Sequence, residues 1–315
     1  MRARLDHAGV PPSSWSPDPL PGEFGALEVR GILPEVDSAD GAAADQLRRW
    51  LWDHGVLCLR FDQALTDEQH RHVVSMIGDL KDPIGVDRAG QPLRYGDAKQ
   101  IIDSGFVLTE ELRTQLGDGS LGGDDLRPGL FQFFHTDDSY VEEPAIATVL
   151  HARQLPGGGG GATCFIDMRA AYDLLDPTTR RRIAALRAVH RYDNGEAFPP
   201  RPSASGALDQ LVEVSHPVVR AHPATGRLAL YFDLDRACHV EGVDEVEGRS
   251  LLQRLQDHAE ANAPRYCHEW QPHDVLIWDN ASVQHRASSD FAVGEPRRFW
   301  RYMVAGSRPA GPTAR

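Results

Sequence analysis

Positive charge is scarce in this 315-residue chain: 33 Lys and Arg stand against 46 Asp and Glu, for a formal net charge of -13. That balance offers no basic face to nucleic acid or to an anionic membrane surface, so the expected partner is a small molecule. Long apolar runs are missing too. No stretch approaches the roughly 20 apolar residues that cross a bilayer, and the opening "MRARLDHAGVPPSSWSPDPLPGEFG" lacks the apolar centre of a secretory signal. Cysteine is rare, with Cys58, Cys164, Cys238 and Cys267 scattered and no C-x-x-C pair. Three of them sit in apolar or strand-like contexts, so the expectation is reduced thiols acting as small hydrophobes in a reducing, cytoplasmic compartment. There are no internal repeats. The five glycines at 157–161 are not followed by Gly-Lys-Ser/Thr, which excludes a phosphate loop and leaves a flexible turn leading into Thr163.

What is present is 41% hydrophobic residues, enough for one large core. Residues 1–24, rich in Pro and Ser, read as an irregular lead-in, 25–305 as a single domain and 306–315 as a flexible tail. "ALEVRGI" and "VLCLRF" read as strands. Between them "GAAADQLRRWLWDHG" repeats Leu47, Trp50, Leu51 and His54 at helical spacing, with Gly55 placed to end the helix. In "TDEQHRHVVSMIGDL" Thr66 and Gln69 form a capping box and Gly78 a stop. From 81 to 130 the chain is polar and rich in Gly and Asp, broken by "KQIIDSGFVL" and "TEELRTQL", and it suggests a lid.

Further on, "AIATVLHARQL" and "TCFIDM" predict strands, and Asp176 with Pro177 opens a second helical piece. "HPVVRAHPATGRLALYF" predicts a hairpin, "EGRSLLQRLQDHAEANA" an amphipathic helix, and "DVLIWD" and "RRFWRYMV" closing strands. Many short strands around a helical segment predict a mainly β chain with helices (α+β), an antiparallel double sheet of jelly-roll type.

In "FQFFHTDDSY", residues 131–140, a charged triplet interrupts an aromatic run. Strand alternation would carry Phe131, Phe133, His135 and Asp137 to one face, where burying ionisable groups unpaired is costly. A His-x-Asp pair on a rigid strand, joined by a third ligand, leaves open positions on a metal, the pattern of a 2-His-1-carboxylate Fe(II) site. "DVLIWDNASVQHRASSD" offers His285 as that ligand, although taken alone it reads as readily as a hydrogen-bonded core or surface histidine. His239 with Glu241 and His258 with Glu260 share the spacing without the context, and the second pair lies on a helix face that should be solvated. Asp138, by alternation, points away from the metal, to orient substrate or face solvent. In "EPRRFWRYMV", Arg297 and Arg301 share a strand face with Phe299. Their guanidiniums want anions: a bound dicarboxylate plus a second acidic group, or internal Asp and Glu.

Five blocks, "GVLCLRFDQALTDEQ", "HTDDSYVEEPAIATVLHARQLP", "GGGATCFIDMRAAYDLL", "HPVVRAHPATGRLALY" and "WDNASVQHRASSD...RRFWRYM", together resemble the taurine/2,4-dichlorophenoxyacetate dioxygenase family over about 25–305. The resemblance implies a cupin-like double-stranded β-helix with N-terminal helices and a helical insert. It assigns His135, Asp137 and His285 to Fe(II), Thr163 and Arg297 to the distal carboxylate of 2-oxoglutarate, and Arg301 to an acidic group of the substrate. It also implies O2 as oxidant, succinate and CO2 as products, hydroxylation or a related C–H oxidation, and a dimer or tetramer. Asp137, a carboxylate that halogenating relatives lack, points away from halogenation.

Three departures bear on the substrate. Ala281 stands where the family has Arg after Trp-Asp-Asn, and Phe134 where Trp precedes the metal His. "FDLDRACHV" replaces a stretch with Asn and Phe, bringing Arg236 toward a more polar pocket. Two rival readings are a metal-free jelly-roll binding protein and a Zn-dependent hydrolase using the same triad. The intact iron and co-substrate residues weigh against the first, and the paired arginines with Thr163 against the second.

Overall fold

A computed structural model describes residues 15–32, 41–81, 100–103, 133–191, 213–288, 290–292 and 295–312. Helix α1 (Gly41–His54) buries Ala43, Leu47 and Leu51 on one stripe, and Gly55 at φ 79° ends it by donating its N–H to the Leu51 carbonyl. Helix α2 (Asp67–Ile77) begins at the expected capping box: the Thr66 hydroxyl accepts from the Gln69 N–H and the Gln69 side chain from the Thr66 N–H. Asp167, Asp176 and Asp244 cap α3 (Met168–Asp173), α4 (Pro177–Ile183) and α5 (Glu245–Asn262).

The strands are β1 (Ser16–Pro19), β2 (Leu27–Arg30), β3 (Val56–Leu59), β4 (Gln100–Asp103), β5 (Ala147–Gln154), β6 (Thr163–Asp167), β7 (Arg187–His190) and β8 (Val214–Pro217). They continue with β9 (Val219–Ala221), β10 (Leu228–Leu230), β11 (Ala237–Val240), β12 (Arg265–His268), β13 (Val275–Asp279), β14 (Val283–Ala287) and β15 (Arg298–Val304). Seven of them form one sheet in the order β1-β2-β3-β13-β5-β15-β4, and β12-β6-β14, β11-β7-β8 and β10-β9 form smaller sheets.

Alternation sets the layers. On β13, Val275 and Ile277 pack under the first two helices with Leu47, Leu51, Val73 and Val74, while Leu276 and Trp278 face inward with Val56, Phe165, Tyr266 and Phe299. On β6, Phe165 points into that inner core, and Cys164 and Ile166 point outward to Leu251, Leu252 and Leu255 of α5. The outcome is the expected mainly β double sheet with helices on its outer faces. Among the described residues no helix is long and apolar enough to cross a membrane.

Three expectations need correction. The stretch read as an irregular lead-in contains β1, paired with β2; Pro17 and Pro19 are tolerated because this is an edge strand. The tail read as flexible is pinned where Ala310 O accepts from Ala221 N–H at 2.8 Å. Cys164 and Cys267, read as reduced thiols, form a disulfide, because the β6–β12 register sets them face to face across a sequence separation of 103; Cys58 and Cys238 are free. The stretch read as a lid, 81–130, lies outside the described residues apart from Lys81 and β4.

The two sheets are tied by a buried polar network. Asp274, with no exposed side-chain surface, accepts from Arg60 Nε at 2.9 Å and Gln271 N–H at 2.9 Å and lies 3.0 Å from His268 Nε2. Burial opposes its ionisation, but His268, the Gln271 N–H and Arg60 outweigh it and hold the carboxyl below its usual range. Its stabilisation is therefore present above the unfolded-state carboxylate pKa and is lost as pH falls through the lower folded-state value. Asp274→Ala is expected to cost about 3–5 kcal/mol in urea unfolding, and Asp274→Asn to flatten the acid limb of the stability profile.

Candidate active site

His135 and His285 are locked together by a two-way backbone bridge, His135 N–H to His285 O at 3.0 Å and the reverse at 2.8 Å. Their ring centroids stand 4.3 Å apart. The chain then turns over 137–140 and does not continue as the strand expected from alternation, with Asp138 at φ 57°. Phe133 is accordingly 63% exposed and not buried beside His135, whereas Phe134 is buried with the Arg286 guanidinium 4.6 Å from its ring centroid. Phe131 lies outside the described residues. The turn brings Asp137 Oδ2 to 3.7 Å from His285 Nε2. One donor atom from each of His135, Asp137 and His285 lies within 4.8 Å of the others.

Neighbours fix each donor. His135 Nδ1 lies 3.0 Å from the Phe133 carbonyl, which orients the ring. Asp137 Oδ2 accepts from the Thr148 hydroxyl at 2.6 Å, Thr148 in turn accepts from the Asn280 side-chain N–H at 2.9 Å, and Arg301 Nη1 lies 3.5 Å from Asp137 Oδ1. Burial, reinforced by His135, pushes His285 down to about 3, so its ring is neutral at physiological pH. For Asp137 burial acts the other way, yet His285, Arg301 and His135, with the Thr148 hydrogen bond, hold its carboxyl below the usual range. A neutral imidazole beside an ionised carboxylate is the protonation state a divalent cation requires.

Cys58, His268 and Asp274 form a second cluster of the same size. It does not suit a metal. Tyr266 OH lies 2.7 Å from His268 Nδ1, Arg60 places its positive charge on Asp274, and burial raises the Cys58 thiol far above the range in which it ionises.

On β6, paired with the His285 strand, Thr163 meets a buried arginine. Arg297, 3% exposed, donates from Nε to Gly161 O at 2.8 Å and from Nη2 to Thr163 Oγ1 at 3.3 Å, and Thr163 also accepts from Trp270 Nε1 at 3.1 Å. Burial lowers Arg297 to about 10, still charged at neutral pH. The glycine run is more than the expected turn: a Cβ on Gly161 would sit 2.9 Å from Arg297 Cδ, and one on Gly160 2.6 Å from the Asp290 carbonyl oxygen.

The remaining residues divide. Arg301 shares the inward face with Phe299, as expected. Asp138 is buried, not solvent-facing: its Oδ1 accepts from Tyr140 OH at 3.2 Å and its Oδ2 lies 3.9 Å from Lys81 Nζ. Arg236 is buried 5.2 Å over the Tyr140 ring, and Ala281 is buried in the apolar core. His258 is not merely solvated but has Nε2 3.0 Å from Ala171 O, joining α5 to α3. Thr148, Asn280 and Trp270 escaped the sequence reading; Asn280 follows "WD" directly before the metal-histidine strand, whereas Trp270 carries no local signal.

Residues 17–303 match the family described as taurine catabolism dioxygenase TauD, TfdA family. The chain is 30% identical over 305 residues to the (S)-phenoxypropionate/alpha-ketoglutarate-dioxygenase of Sphingobium herbicidovorans, covering 94% of this chain and 96% of that one. It is 37% identical over 262 residues to the alpha-ketoglutarate-dependent 2,4-dichlorophenoxyacetate dioxygenase of Cupriavidus pinatubonensis, covering 81% and 87%. The crystal structure of AAD-2 in complex with Mn(II) and N-oxalylglycine superposes with a TM-score of 0.72 at 25% identity, covering 94% and 98%. With a matching sequence, a matching fold and a donor set suited to a divalent cation, the chain belongs to the TauD/TfdA family and is an Fe(II)- and 2-oxoglutarate-dependent dioxygenase.

Proposed function

We propose that His135, Asp137 and His285 hold the ferrous ion, that Thr163 and Arg297 hold the distal carboxylate of 2-oxoglutarate, and that Arg301 receives an acidic group of the substrate. The observation that carries this reading is the meeting of three donors within 4.8 Å, in a metal-ready protonation state, beside a buried arginine. When bound, iron with 2-oxoglutarate and O2 supplies the power to oxidise a C–H bond, with succinate and CO2 released. The chain supplies position and charge. Asp137 contributes the anionic donor, Thr148 fixes its carboxylate, and Arg297 presents a planar fork to a carboxylate. Trp278 and Phe165, with ring centroids 4.6 and 6.2 Å from His285, wall the site with apolar surface.

For the substrate we read a small organic acid. Relatives named for phenoxypropionate and 2,4-dichlorophenoxyacetate act on aryloxy acids, and Arg301 lies beside the metal cluster where such an acid would dock. Arg236 and Asp138, buried on either side of Tyr140, favour a substrate with a further polar group. The intact iron and co-substrate residues weigh against the binding-protein reading, and the Zn-hydrolase reading leaves the paired arginines and Thr163 less well explained. Assembly into dimers or tetramers completes the proposal; a cytoplasmic location loses its thiol argument, because Cys164 and Cys267 form a disulfide, and keeps only Cys58 and Cys238 as free thiols.

Three outcomes follow. Anaerobic titration with Fe(II) and 2-oxoglutarate should give a weak visible charge-transfer band that His135→Ala abolishes; a wild-type chain without the band would refute the metal assignment. Gly161→Ala should displace Arg297 and raise KM for 2-oxoglutarate about 10- to 100-fold, the worth of one disturbed charge-assisted bond, with unchanged circular dichroism. In succinate-release assays across a panel of small acids, Arg301→Ala should lose turnover of the acidic members, and unaltered selectivity would count against its role.

A further inference from the structure

Beyond the turn at 137–140 lies a buried cation that the reaction leaves without a task. Arg220, in the middle of β9, is 1% exposed, and its Nε and Nη1 have no hydrogen-bond partner among the described residues. Its guanidinium carbon lies 4.8 Å from the centroid of the Tyr231 ring, a face contact. The Tyr231 hydroxyl is itself buried, and the Arg220 guanidinium is its polar neighbour. His216 meets Tyr231 edge-on at 5.8 Å and His190 meets His216 at 5.5 Å. Ser139, fully buried with an unbonded hydroxyl, precedes the residues whose Val141 carbonyl lies 2.9 Å from His216 Nε2.

Simple packing does not account for this group. A guanidinium stays charged, and a charge taken out of water needs a counter-charge or a full set of hydrogen bonds. The ring face of Tyr231 recovers only part of that cost. His190 and His216 supply no counter-charge, because burial holds both neutral, at about 3 and about 4.

The two carboxylates within electrostatic reach of Tyr231, Asp138 and Asp233, have other cations. Asp138 lies against Lys81 and within electrostatic reach of Arg301, and Asp233 within reach of His135 and Arg236. Water would satisfy the hydroxyls and leave the charge uncompensated. The open side-chain atoms in this cluster include two guanidinium N–H groups and the Ser139 O–H as donors, against the neutral imidazole nitrogens of His190 and His216, none of which carries a negative charge.

We propose that Arg220, with Tyr231, anchors a buried site for a small monovalent anion, a halide or a carboxylate, separate from the arginines at 297 and 301. The inference does not rest on the dioxygenase reading, since it follows from a buried guanidinium on the β9–β10 hairpin whose Nε and Nη1 find no hydrogen-bond partner among the described residues. The same chemistry comes from a free inorganic anion or from the acidic end of a bound substrate.

Crystals of the wild-type chain soaked in bromide test it. An anomalous peak within about 3.5 Å of the Arg220 guanidinium, absent in Arg220→Met, is the expected result. Density there that refines as water, with no anomalous signal, overturns the proposal. Repeating the soak with a turned-over acid from the substrate panel separates the sources: a peak that persists marks a free anion, and one that is displaced marks the acid. If Arg220→Met does not fold, the melting temperature of the wild type decides. At constant ionic strength it should rise about 2 °C per tenfold increase in formate above its Kd. A bulky buffer anion should give no such rise, and identical curves for the two anions would reject the site.

Discussion

Keeping the Asp137 carboxylate ionised away from water is the condition on which this molecule rests. Such a charge survives only if dipoles and cations are delivered to it from fixed directions, and here they come from separate parts of the chain: Thr148 on β5, Arg301 on β15 and His285 on β14. The large sheet makes delivery possible because β5 lies between β13 and β15, with Thr148 opposite Trp278 on one side and Met303 on the other. A slip of one residue in that register would turn Thr148 toward the helices and leave the carboxylate without its donor.

The surroundings of Arg297 obey a different constraint. There the chain works by omission: Gly160 and Gly161 carry no side chain because Asp290 and Arg297 occupy the space a Cβ would need, and both adopt positive φ. The buried Arg297 is thereby held by the Gly161 carbonyl against Thr163, whose hydroxyl Trp270 fixes in turn. The Asp137 cluster is built from donated hydrogen bonds, the Arg297 cluster from vacated volume.

How much of this was legible depended on whether the governing interaction was local. The capping box at Thr66, the Asp176–Pro177 helix start, the Gly55 stop and the 219–230 hairpin were all readable because neighbouring residues determine them. The triad was readable as residue types and through the family resemblance, but its geometry was not. Alternation predicted a strand through 131–137, whereas a single bridge to His285 followed by a turn is what brings Asp137 into place. The β6–β12 register that opposes Cys164 and Cys267, and the burial of Arg220 with Nε and Nη1 unbonded among the described residues, are long-range facts that no spacing along the chain reveals.

The bridge between Cys164 and Cys267 encloses α3 to α5 and β7 to β11, including Arg220 and Arg236, while His135, Asp137, Thr163, His285, Arg297 and Arg301 all lie outside that loop. The chain is thus divided into an inner ring carrying Arg220 and Arg236 and two outer arms, one with His135 and Asp137 and the other with His285. A protease that severs the ring at any one peptide leaves a single covalent molecule, and a reductant is needed before the arm with His135 and Asp137 can part from the arm with His285.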